Sequence, residues 1–118
     1  MDDIDELQEK IIAFRDERDW KQFHKPKDLA ISLSLEAAEV LEHFQWKSEE
    51  EIDGYIKTNK KEIGEELADV FNYLLLISDC LEIDLLQATE DKLEKSAQKY
   101  PADKAKGTHK KYTELDQA

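Results

Sequence analysis

The sequence is poor in the residues that break chains into short pieces. It has only three glycines and two prolines in 118 residues. A β-rich fold needs more turn residues than that. It has one cysteine, Cys80, so no disulfide framework within the chain is possible. The apolar neighbours Ile77 and Leu81 suit Cys80 to a small buried hydrophobe rather than a reactive thiol. Long apolar runs are also missing. "VFNYLLLI" is far short of the roughly 20 residues that span a bilayer. Positive charge is scarce: 17 Lys and Arg face 29 Asp and Glu, a net charge of −12. Such a field repels nucleic acid, and any bound phosphate needs a cation to mediate it. The acidic start "MDDIDELQEK" lacks the basic and apolar regions of a secretory leader. These absences lead us to expect a cytoplasmic protein with neither membrane nor nucleic acid as partner.

What remains is helical. Glu, Lys, Leu, Ala, Asp and Gln dominate, and 40% of residues are hydrophobic, in periodic blocks that argue against disorder. Ile4, Leu7, Ile11 and Phe14 make one stripe of a first helix over residues 3–19. Pro26 opens a second, over 27–44, that is apolar on several sides. "SEEE" at Ser48 has the form of a capping box for a short helix ending near Tyr55, weakened by Gly54. Ile63, Leu67, Val70, Leu74 and Ile77 form a bundle seam over 59–80. Asp84 and Gln87 open a last helix that Pro101 ends. The expectation is an all-α bundle of four main helices plus one short one. Residues 1–101 form the domain, and 102–118 a mobile or loosely docked tail.

Inside the second helix, "SLSLEAAEVLEHFQWK" carries Glu36 and Glu39 among apolar residues. Glu66 and Asp69 are embedded likewise in "EELADVF". The acid-x-x-acid spacing occurs eleven times in this chain, so spacing alone has no specificity. The apolar flanks single these pairs out. Residues i and i+3 share a helix face, so two facing helices bring four carboxylates together. Four such anions must take up protons or hold a cation, and oxygen ligands favour Mg²⁺ or Mn²⁺. The plain alternative is four solvated or lysine-paired surface acids. A di-iron bundle lacks its Glu-x-x-His pairs, a zinc site lacks its Cys and His, and no glycine-rich phosphate loop is present.

Four blocks in order resemble the MazG-like all-α nucleoside triphosphate pyrophosphohydrolases. The E-x-x-E of Glu36 and Glu39 is followed by the E-x-x-D of Glu66 and Asp69. "FRDERDWKQFHKPKDLAISLSLEAAEVLEHFQWK" is similar to the dCTP pyrophosphatase branch, and "EELADVFNYLLLI" and "KLEKSAQKYP" resemble the later blocks. The resemblance implies Mg²⁺-dependent cleavage of a nucleoside triphosphate between its α- and β-phosphates, with Mn²⁺ as a possible substitute. It implies metal binding by Glu36, Glu39, Glu66 and Asp69, with Glu36 or Glu39 activating water. It also implies substrate contacts from Trp20, His24, Trp46, Tyr73, Lys92 and Lys99, and assembly as a homo-oligomer, a tetramer ahead of a dimer; Asn72, next to Tyr73, is a further candidate by position, with an interhelical hydrogen bond as its plain alternative. Ser96 and Lys99 stand where the family pattern has Asn and Arg, which puts base and sugar selectivity in question. A catalytically silent helical adaptor and a nucleotide-binding sensor remain the alternative functions.

Overall fold

The structure is a computed structural model that describes residues 2–115; positions 116–118 of the expected tail lie outside the described residues. Its helices are α1 (Asp3–Glu17), α2 (Pro26–Glu42), α3 (Glu49–Cys80), α4 (Leu85–Lys99), α5 (Ala102–Ala105) and α6 (Tyr112–Leu115), with a 3₁₀ turn at Lys21–Phe23. Among the described residues there is no strand. None of these helices is long and apolar enough to cross a membrane. The chain divides into two compact units between Ile83 and Asp84.

Short polar side chains start the helices. Asp2 Oδ1 accepts from the Asp5 amide at 2.8 Å, and Asp84 Oδ1 from the Gln87 amide at 3.0 Å. At Ser48 the capping box is complete: the hydroxyl accepts from the Glu51 amide, and the Glu51 carboxylate accepts from the Ser48 amide. Pro26 occupies the first turn of α2, where a missing N–H costs nothing.

The ends are less obvious. α1 and α3 both stop in a Schellman motif without glycine. Trp20 N–H reaches back to the Arg15 carbonyl (3.1 Å) and Asp19 N–H to Asp16 (3.1 Å). Ile83 and Glu82 repeat the pattern on Ser78 and Asp79. Asp19 and Glu82 each take φ = 55°, a left-handed conformation that costs a non-glycine residue about 1–2 kcal/mol.

The expected short helix is not separate. It runs on as the first part of α3, and the expected break is a kink at Asn59 (φ −120°, ψ 18°). The Asn59 side-chain amide donates to the Tyr55 carbonyl at 3.1 Å, so a local bond supports the distorted turn instead of a loop.

Within the first unit α3 packs most extensively against α2 and next against α1. Among the described residues, Leu29, Leu75 and Leu76 are the buried apolar ones. Gln8 of α1 bridges to α3, donating to the Leu75 carbonyl at 2.9 Å. Many large apolar side chains stay exposed, among them Leu35, Leu41, Trp46 and Leu67. In the second unit α4 is followed by a folded segment. Tyr112 of α6 packs edge-on to Tyr100 with ring centres 6.1 Å apart, and Lys99 Nζ lies 4.9 Å from the Tyr112 ring centre.

Candidate active site

Glu36 and Glu39 lie on α2, and Glu66 and Asp69 on α3, the two helices that pack most closely. One oxygen from each carboxylate falls within 4.8 Å of the other three. The i, i+3 spacing therefore does what helical geometry allows: each helix contributes a pair, and the pairs face each other.

The electrostatics follow from this crowding. Burial, a hydrogen bond with Glu39 that favours the protonated form, and repulsion from Glu39, Asp69 and Glu66 push the Glu36 carboxyl up from 4.5 to about 6. Glu66 is also raised, first by its hydrogen bond with Glu39, then by burial and by repulsion from Glu39 and Asp69; His43 works against this. Glu36 Oε2 is buried without a hydrogen-bond partner. A buried, unpartnered carboxylate oxygen within a cluster of four acids fits a hard divalent cation, for which oxygen donors are the preferred ligands.

The raised Glu36 makes a prediction. Its folded-state value lies above its ordinary one, so the folded protein binds this proton more tightly. The stability it contributes is full below about pH 4.5 and is lost as pH rises through about 6. In chelator-treated protein, the difference in melting temperature between wild type and Glu36→Gln is expected to widen in favour of the variant between about pH 4.5 and 6.5. A constant difference across that range would contradict the electrostatic account.

Beside the cluster a cavity of about 390 Å³ opens, within the roughly 300–1,000 Å³ of small-molecule sites. Glu36 and Asp69 line it, so acids and cavity are one site. The cavity also takes in Trp20, His24, Asn72 and Tyr73, four of the residues singled out from the sequence. Asn72 and Tyr73 follow Asp69 by three and four residues, one turn along the same face of α3. Trp20 is set by the Schellman bond to Arg15 and packs edge-on against Phe14 at 5.8 Å. His24 is held by its backbone, whose carbonyl accepts from Cys80 Sγ at 3.6 Å. Its Nδ1 is buried without a partner. Burial and then the Arg15 charge lower the His24 pKa, favouring neutral imidazole.

Trp46 is placed elsewhere. It sits in the turn after α2, is 86% exposed and does not line the cavity. Lys92 and Lys99 belong to the second unit, both exposed on α4. The sequence reading missed Lys10, Phe14 and Arg15, which line the cavity from α1. It also missed His43, whose charge bears on Glu66 from one turn past Glu39. The i, i+4 spacing from Glu39 to His43 was the available signal for the latter.

The chain is similar to known proteins along most of its length. Residues 31–115 match the MazG-like family. The human protein named dCTP pyrophosphatase 1 is 37% identical over 114 residues, covering 95% of this chain and 67% of its own length. The bovine protein of that name is 35% identical, with 95% and 68% covered. A crystal structure of a pyrophosphatase from Archaeoglobus fulgidus superposes with a TM-score of 0.80 at 43% identity, covering 86% of this chain and 94% of that one. With the family match spanning well over half of its length, the chain belongs to the MazG-like family.

Proposed function

We propose that this protein hydrolyses a nucleoside triphosphate between the α- and β-phosphates, releasing a monophosphate and pyrophosphate. The substrate class is a pyrimidine deoxynucleotide, dCTP or a modified form of it, with Mg²⁺ as the cation and Mn²⁺ as its substitute. The role is clearance of non-standard or surplus nucleotides in the cytoplasm. Nucleotide pyrophosphohydrolase chemistry as such rests on the family and on relatives named for it. The observation that carries the finer reading is that Glu36 and Asp69 belong at once to the four-carboxylate cluster and to the cavity wall.

In this reading Glu36, Glu39, Glu66 and Asp69 hold the cation. Bound Mg²⁺ supplies charge neutralisation for the triphosphate and favours in-line displacement. Glu36 or Glu39 orients the attacking water and takes its proton; Glu36, which also faces the cavity, is the better placed. Trp20 stacks on the base, and His24, Asn72 and Tyr73 offer hydrogen bonds to the nucleoside. Trp46, Lys92 and Lys99 are assigned to substrate by resemblance alone. The exposed apolar faces of α2 and α3 support assembly into a homotetramer, with a dimer as the smaller alternative.

The test is a nucleotide panel incubated with protein and Mg²⁺, with products separated and both phosphate species assayed. We expect dCMP and pyrophosphate from dCTP, and no turnover after chelation. Release of orthophosphate would overturn the cleavage site, and intact nucleotide would leave binding without catalysis. Light scattering on the same sample reads the assembly, and a monomer would remove the oligomer from the proposal.

A further inference from the structure

Arg15 is the least expected residue of the cavity. It is 5% exposed, yet it lines the open space beside Phe14, Trp20 and His24. Its Nε and Nη2 each lie 2.9 Å from Asp16 Oδ1, and Nη1 lies 3.4 Å from Asp79 Oδ2. A guanidinium carries five N–H donors, and these contacts engage three. Two donors are left on a group almost without solvent. A buried ion pair adds little net stability over an apolar replacement, so folding alone gives weak reason for a charge here.

Position gives a better reason. Asp69 is in the carboxylate cluster, and Asp79, which holds Arg15, lies ten residues further along α3. That is about 15 Å along the helix axis. Glu36, Asp69 and Arg15 line one cavity, so a nucleotide whose phosphates lie at the acids has Arg15 in the space open to its base. Leu76 and Arg15, both buried, line the same cavity as the aromatic Phe14 and Trp20, so a hydrogen bond made to the Arg15 fork is sheltered on the side of the protein. His24 lies near enough for the Arg15 charge to act on its ring.

We propose that Arg15 is a specificity-determining residue that donates its uncommitted N–H groups to a ring carbonyl oxygen of the base, favouring carbonyl-bearing bases over adenine. Asp16 and Asp79 act through it, holding the fork by three of its five N–H groups. A base without a carbonyl leaves those buried donors unsatisfied, the kind of loss by which a polar site rejects an analogue. The inference rests on the pyrophosphohydrolase reading.

The experiment compares wild type with Arg15→Met and Arg15→Lys. It measures kcat and KM for dCTP and dUTP, the Ki of dATP against dCTP turnover, and thermal stability. Arg15→Met is expected to raise KM for dCTP and dUTP by about tenfold or more, with a smaller change in kcat and a Ki for dATP within about threefold of wild type. Arg15→Lys keeps the charge but loses the fork, so it is expected to recover stability without recovering KM. Arg15 is only structural, and the proposal falls, if Lys restores both, or if Met weakens all three nucleotides by one common factor or none. Should Arg15→Met fail to fold, the Lys variant alone decides between these outcomes. If wild type itself cleaves none of the nucleotides, the functional reading fails first and this inference falls with it. If wild type cleaves them and the variants discriminate as it does, only this inference fails.

Discussion

Glu36→Gln is expected to lower kcat by about 10²- to 10⁴-fold, the range for loss of a positioned general base. The substitution keeps size and removes the charge, with an NH2 donor in place of one accepting oxygen. Glu36 is the acid that neighbouring carboxylates and burial oppose most clearly, and its Oε2 has no partner in the protein. The fold is therefore expected to tolerate the change, and the metal-free protein to melt higher at neutral pH. Stabilisation by added Mg²⁺ should shrink, since a ligand that binds only the folded state contributes about 2.7 kcal/mol at 100 times its Kd. Steady-state kinetics and melting curves with and without Mg²⁺ check both halves. Unchanged kcat would remove Glu36 from the chemistry. Lost activity with a large loss of stability would make it structural.

The second large effect concerns folding. Leu75→Ala should destabilise the protein by about 2–5 kcal/mol, the range for emptying a buried leucine site. Leu75 is 1% exposed, and Leu29 and Leu76 are the other buried apolar residues described. A typical domain has only about 5–15 kcal/mol in total, so this change takes a large share. Leu35→Ala is the control. Leu35 is 61% exposed, and within a lone chain its loss should stay within about 0.5 kcal/mol. Urea unfolding at two protein concentrations separates the cases. A costly Leu35→Ala whose cost grows with concentration would place Leu35 in a subunit interface. A silent Leu75→Ala would mean the core lies elsewhere.

Periodicity located the main helices because each buries a stripe. Ile63, Leu67, Val70, Leu74 and Ile77 mark α3 whatever its partners are. The acids were found because a carboxylate between leucines is conspicuous in a string of letters. In sequence the kink looks like a break because Gly54 and the polar stretch from Thr58 resemble an interruption; the bond from Asn59 to Tyr55 that spans it is visible only in three dimensions. Arg15 was overlooked for the opposite reason. It lies in "FRDERDW", a run of charges that reads as solvated surface, and its partner Asp79 is 64 positions away. Phe14 was assigned to the helix stripe, and no local feature says that the stripe faces an opening. Trp46 is singled out by resemblance; in a single chain it is 86% exposed and does not line the cavity.

The four residues that stop α1 also fix how the pocket is furnished. Arg15 supplies the carbonyl that receives the Trp20 amide and itself lines the cavity, while Trp20 supplies an aromatic wall. Lengthening α1 by one residue would swing whatever follows by about 100° around the helix axis. Helix length and the shape of the cavity are thus a single variable here, and a change to one cannot leave the other alone.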